Sequence, residues 1–161
     1  MIGKKVERIF YEPTENILTS RNDVVTLREE DSLLHAILVL SNSGFQTIPV
    51  LDNKDRVRGL ISISMIITNC EDFNAYNSDI LNQKKVKDIM NQVVPILFND
   101  FQLEDVLRLI IDNNFICITQ RDGYFEGIIT RKTILERFTN IAHNLESRYK
   151  LVAKEKTYAD S

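Results

Sequence analysis

The chain has 161 residues, 43% hydrophobic and 27% charged, a balance that argues against disorder, collagen-like repeats and disulfide-dense scaffolds. Its 20 basic and 23 acidic residues leave a formal charge of −3, a poor match to non-specific nucleic-acid binding. Two cysteines (Cys70 and Cys117) without a CxxC spacing, and two histidines (His35 and His143), argue against a closed zinc site.

The N-terminus, MIGKKVERIFYEPTE, turns charged at once and carries no apolar signal core, and the segment up to about Thr19 reads as helical. The longest apolar run, residues 36–40, is too short to span a bilayer. A cytoplasmic setting with reduced thiols is expected.

Val24, Val25, Thr26 and Leu27 are β-branched or apolar and predict a strand. Glu30, Asp31 and Ser32 then offer capping side chains to a helix whose Leu33, Ala36, Ile37 and Leu40 fall at helical spacing. Gly44 suits a left-handed helix end. Residues 47–51 predict a second strand and Asp52-Asn53-Lys54-Asp55 a polar turn. A third strand at 57–62 leads into a short helix. A polar linker, residues 71–85, follows.

The plan then repeats. Residues 93–96 are extended, and a helix after Asp100 carries Leu103, Val106, Leu107, Ile110 and Ile111 on one side. Residues 115–118 predict a strand, Arg121-Asp122-Gly123 a turn, and 127–130 a strand before a helix from Arg131. Leu27/Leu97, Leu33/Leu103, Phe45/Phe115 and Ile48/Ile118 all pair at an offset of 70, and Gly59/Gly127 at 68. Each unit is too small to bury a good core alone, so two copies packed together are expected. The boundaries read as an N-terminal segment 1–23, repeats 24–70 and 86–138 around the linker, and a C-terminal helix and tail 139–161.

Phe45-Gln-Thr-Ile-Pro-Val-Leu-Asp52 followed by Gly59-Leu-Ile-Ser62 resembles the core of a cystathionine-β-synthase (CBS) domain. Gly127-Ile-Ile-Thr130 with its following helix is similar to the same motif, although Thr119-Gln120 replaces the Pro-Val pair. The resemblance covers about 24–138 and implies an α+β fold: two β-α-β-β-α CBS domains related by a pseudo-twofold, in a disc-like homodimer. It implies binding of adenosine-containing ligands between the copies, not catalysis. The stretch 127–132, with the first-copy strand, is similar to small stand-alone bacterial CBS proteins that bind cyclic di-AMP.

CBS pairs that bind AMP-type ligands place an Asp three residues after a Thr or Ser to chelate the ribose diol. Here Met65 follows Ser62, and Thr133 follows Thr130, at that spacing. A 3′,5′-linked ring has no free diol to chelate, and a carboxylate there would repel its phosphodiester. Thr130, Arg131 and Lys132, opening a helix with its free amides, are expected to grip phosphate. The resemblance places the adenine edge against the backbone of Val25, with Phe45, Gln46, Thr47 and Ile48 on the other wall; Val25 and Ile48 also read as core residues that would offer the ligand their backbone. The matched cleft would use Ser62, Ser64, Val94 and Ile116. It has no cation after Ser62, so one ligand per chain is expected.

The resemblance further implies a protein target, such as a (p)ppGpp synthetase-hydrolase or a metabolic enzyme, released or engaged on ligand binding. No cofactor, metal, nucleic acid or membrane partner is expected. A sensor of AMP, ADP or ATP and a purely structural interaction module stand as alternatives. Arg131 and Lys132 could also be solvated charges of a helix's first turn, and Phe45 a packing residue like Phe115. Neither histidine lies in a pattern that suggests a catalytic base.

Overall fold

Local signals set most elements, and pairings between distant parts of the chain set the rest. The computed structural model describes residues 1–11, 16–69 and 78–154. Helix α1 (Lys4–Tyr11) and a two-residue strand β1 (Thr19–Ser20) come first. The expected helix up to Thr19 is thus corrected: β1 pairs antiparallel with a strand of the second repeat, Thr19 opposite Ile128. Nothing near Thr19 in sequence announces that partner.

The strand expected at 24–27 is also displaced. A 3₁₀ turn (Arg21–Asp23) leads into an irregular stretch, and β2 covers only Leu27–Arg28. Its register is set from afar, by parallel pairing of Leu27 with Val50 and Arg28 with Leu51. Helix α2 (Leu33–Ser43) starts where the Ser32 hydroxyl accepts from His35 N at 3.1 Å, and ends on Gly44 at φ +73°. Strands β3 (Thr47–Leu51) and β4 (Val57–Ser62) form the hairpin, and α3 (Ile63–Asn69) follows.

Part of the expected polar linker is helical: α4 spans Ser78–Gln83. The chain beyond it returns to the first repeat, where Leu33 N donates to Lys84 O at 3.0 Å and Val86 is fully buried. The extended stretch expected at 93–96 becomes strand β5 at Ile96–Phe98, followed by α5 (Leu103–Ile110). Strands β6 (Phe115–Thr119) and β7 (Phe125–Thr130) and the long helix α6 (Arg131–Arg148) complete the second repeat. The sheets run β2-β3-β4 and β1-β7-β6-β5.

Three apolar clusters hold these layers. One lies in the first lobe around Leu33, Leu40, Ile48 and Ile61, and its counterpart in the second around Leu103, Val106, Ile118 and Ile129. The third joins the lobes through Leu51, Cys117, Phe125 and Ile128. Each large side chain buried this way contributes about 1.5–3 kcal/mol. The joining cluster makes the two small sheets mutually dependent, and it forms the floor on which a cleft can open. Cys70 lies outside the described residues.

Candidate functional site

A slot of about 370 Å³ opens between the start of β3 and the second lobe's β6–β7 pair. Val24 and Val25 form one wall, and Phe45, Gln46, Thr47 and Pro49 another. Phe115, Ile128 and Thr130 close it from the second lobe. Five of the expected site residues therefore meet here: Val25, Phe45, Gln46, Thr47 and Thr130. Phe45 is 52% exposed and stands at the slot's edge, whereas a core packing role would bury it.

Ile48 does not line the slot. Strand alternation turns Thr47 and Pro49 to one face and Ile48 to the other, where it is 1% exposed in the first core. Ile116, expected in the matched cleft, is likewise buried in the second core. The alternation was readable in the sequence and would have named Pro49. Thr19, Asp23 and Asn114 also line the slot. Thr19 arrives through its pairing with Ile128, Asn114 O accepts from Arg131 N, and Asp23 directly precedes Val24 and Val25.

Arg131 and Lys132 lie next to the slot. With Leu135, Glu136 and Asn140 they line an adjoining groove of about 740 Å³. Slot and groove share Asn114 and Thr130, so a ligand that fills one can reach the other. Such a pair of spaces suits a ligand with an apolar ring and an anionic end.

The helix start is less open than expected. The Thr130 hydroxyl accepts from Thr133 N at 3.1 Å, and Arg131 N donates to Asn114 O at 2.8 Å. The Arg131 guanidinium donates from Nε to Ile110 O and from Nη2 to Ile111 O, both at 3.0 Å. It thereby caps the end of α5 and holds a fixed position. These bonds use two of its five N–H groups, so it can still donate to an anion. Lys132 is 84% exposed, and its Nζ lies 3.9 Å from Glu136. The Ser62 hydroxyl, at the matched position of the first lobe, lies 2.9 Å from Ser64 Oγ and accepts from Met65 N.

Catalytic chemistry finds little to work with. Burial pushes the Cys117 thiol up to about 12, so it stays protonated and unreactive. Both His35 and His143 are exposed. Among the described residues no group of three metal-ligating side chains occurs, and no helix is long and apolar enough to cross a membrane.

Duplicated β-α-β-β-α lobes with a largely apolar slot between them define a paired module of the kind that two-domain repeats build. The chain belongs to the CBS-domain family, whose model matches residues 15–72 and 86–140. It closely resembles the CbpB cyclic di-AMP receptors. It is 27% identical to cyclic di-AMP receptor B of Bacillus subtilis over 145 residues, covering 90% of this chain and 99% of that protein. The Listeria monocytogenes CbpB protein, solved in complex with cyclic di-AMP, is 32% identical with a TM-score of 0.72, covering 78% and 94% of the two chains. The CbpB fold from Streptococcus agalactiae superposes at a TM-score of 0.83 with 24% identity, over 95% and 96% of the chains.

Proposed function

We propose that this chain is a non-enzymatic receptor that binds cyclic di-AMP in the slot between its CBS domains. One adenine enters the apolar slot, with its edge met by the backbone near Val25 and by Gln46 and Thr47. The phosphates lie toward Thr130, Arg131 and Lys132 in the adjoining groove. The observation that carries this reading is the continuity of slot and groove through Asn114 and Thr130. The relative solved with cyclic di-AMP supports the choice of ligand.

The receptor acts in the cytoplasm by changing its affinity for a protein target, a (p)ppGpp synthetase-hydrolase or a metabolic enzyme. Ligand must then favour one of two surface states, since equal affinity for both shifts nothing. A disc-like homodimer fits the same picture. Ile67 and Leu135 occupy matched positions on α3 and α6 and are 53% and 58% exposed, apolar surface that a second copy would cover.

Calorimetric titration with cyclic di-AMP, AMP and ATP tests the assignment. Cyclic di-AMP is expected to bind tightest, at one ligand per chain, and tighter binding of a mononucleotide would overturn the reading. Arg131→Ala is expected to weaken cyclic di-AMP by about 1.5–3 kcal/mol, the range for a hydrogen bond to a charged group. An unchanged affinity would place the phosphate elsewhere.

A further inference from the structure

Asp55, in the β3–β4 turn, holds a left-handed backbone at φ +61°, alone among the described non-glycine residues. That conformation strains an L side chain. Its counterpart in the second repeat, at the offset of 68, is Gly123, also left-handed at φ +91°. Aspartate is one of the few side chains that tolerate this conformation, but glycine adopts it more readily, so the first repeat carries a carboxylate where the second needs none.

What the carboxylate touches explains why. Asp55 Oδ1 lies 2.6 Å from Arg28 Nη2 and 3.3 Å from Arg21 Nη2. These two arginines stand at the two ends of the segment that carries Asp23, Val24 and Val25 into the slot. The middle of that segment is irregular, and its strand β2 is two residues long, so little regular structure fixes it. Arg28 also donates to Asp52 O at 2.6 Å. Arg21 lies 4.7 Å above the Tyr124 ring and donates to Phe125 O at 3.5 Å. Asp55 O in turn accepts from Phe125 N at 2.8 Å. One turn thus holds both ends of the slot wall and binds them to the opposite lobe.

We infer that Asp55 is a positioning residue for the ligand slot: it buckles the 21–28 segment in place through Arg21 and Arg28 and so presets the wall that receives the adenine edge. The inference rests on the proposed function for its ligand, and adds that affinity depends on a side chain outside the slot.

Asp55→Gly is the direct test, because it suits the left-handed backbone and removes the side chain that carries the carboxylate. Hydrogen exchange on the ligand-free protein is expected to quicken about tenfold at residues 24–26, with the β3–β4 and β6–β7 ladders unchanged. The dissociation constant for cyclic di-AMP is expected to rise about five- to tenfold. Asp55→Asn, which tolerates the left-handed backbone and keeps an acceptor oxygen, is expected to fall between the two. Unchanged exchange at 24–26 would overturn the inference, and so would faster exchange with unchanged affinity. Exchange that quickens throughout the first lobe would make Asp55 a merely structural residue and also overturn it. Should the wild type bind no cyclic di-AMP, the proposed function fails, while the exchange comparison still decides whether the buckle exists.

Discussion

The two lobes share a scaffold and differ in what they hang on it. Leu33 and Leu103, or Ile48 and Ile116, fill matched positions in the two cores. At the start of the helix after each hairpin the match ends: Ile63-Ser64 stands in the first lobe and Arg131-Lys132 in the second. The hairpin turns differ as well, with Asp52 and Asp55 facing Gln120 and Gly123 across the pseudo-twofold. A duplicated core needs symmetry to pack, whereas a single anionic ligand needs asymmetry to choose a cleft. The difference therefore locates function where the repeat diverges and stability where it does not.

Matched glycines give the largest expected effect. A lead-in segment crosses each of them: 18–19 over Gly127 and 90–91 over Gly59. A Cβ on Gly127 would lie 2.1 Å from Thr19 O, a backbone collision, at a residue already at φ +156°. On Gly59 it would lie 2.7 Å from the flexible Met90 Sδ and 2.9 Å from Asn91 O. Gly127→Ala is expected to destabilise by more than about 3 kcal/mol and Gly59→Ala by about 1–3 kcal/mol, read from urea midpoints. Equal losses would mean that the two crossings are equally rigid.

Acid should separate the hairpins. Burial raises the Asp52 carboxyl, but hydrogen bonds from the amides of Arg56 and Lys54 and from the Arg56 guanidinium outweigh it and hold the group below its ordinary value. The Arg28 guanidinium beside Asp55, with Arg21 behind it, holds that carboxyl low as well. A carboxyl with a lowered folded value stabilises the fold above its unfolded value, near pH 4, and loses that contribution as pH falls through the folded value. The first hairpin should therefore lose exchange protection as pH drops from 5 toward 3. The second, with Gln120 and Gly123 in the matched places, should change little. Parallel loosening of both would show that lobe–lobe contact, not the local carboxylates, controls the turn.

Much of this plan was legible because it is local or repeated. The repeated plan marked the duplication, and Ser32 and Gly44 marked the ends of α2. The offset of 70 holds for Leu27/Leu97 and Leu33/Leu103, but the registers put β3 and β6 at 68, so Phe115 matches Thr47 rather than Phe45. What stayed hidden depends on partners far along the chain. β1 exists because Thr19 meets Ile128, and β2 sits at Leu27–Arg28 because Val50 and Leu51 fix its register. Thr19 reaches the slot by the same long-range route. Ile48 is a different case: its place in the core was expected and alternation within β3 explains it, whereas Pro49, which the same alternation turns to the slot, was not named. The Arg131 side chain, read as a free cation, doubles as a cap for α5, which no spacing within 131–138 discloses.

The smallest expected effect distinguishes the two neighbouring cations. Arg131 is anchored on carbonyls and can meet phosphate at fixed geometry, while Lys132 extends into water as a point charge. An exposed charge of this kind contributes through a screened field, worth about 0.3–1 kcal/mol at low ionic strength. Lys132→Ala is therefore expected to weaken cyclic di-AMP binding about two- to fivefold at 20 mM salt. At 0.5 M salt the deficit should vanish, since the Debye length then falls well below 10 Å. The Arg131→Ala deficit should persist across the same titration, because a direct charge-assisted bond resists screening. If instead the lysine deficit survives high salt, Lys132 closes onto the phosphate when ligand binds, and the clamp is assembled from both side chains.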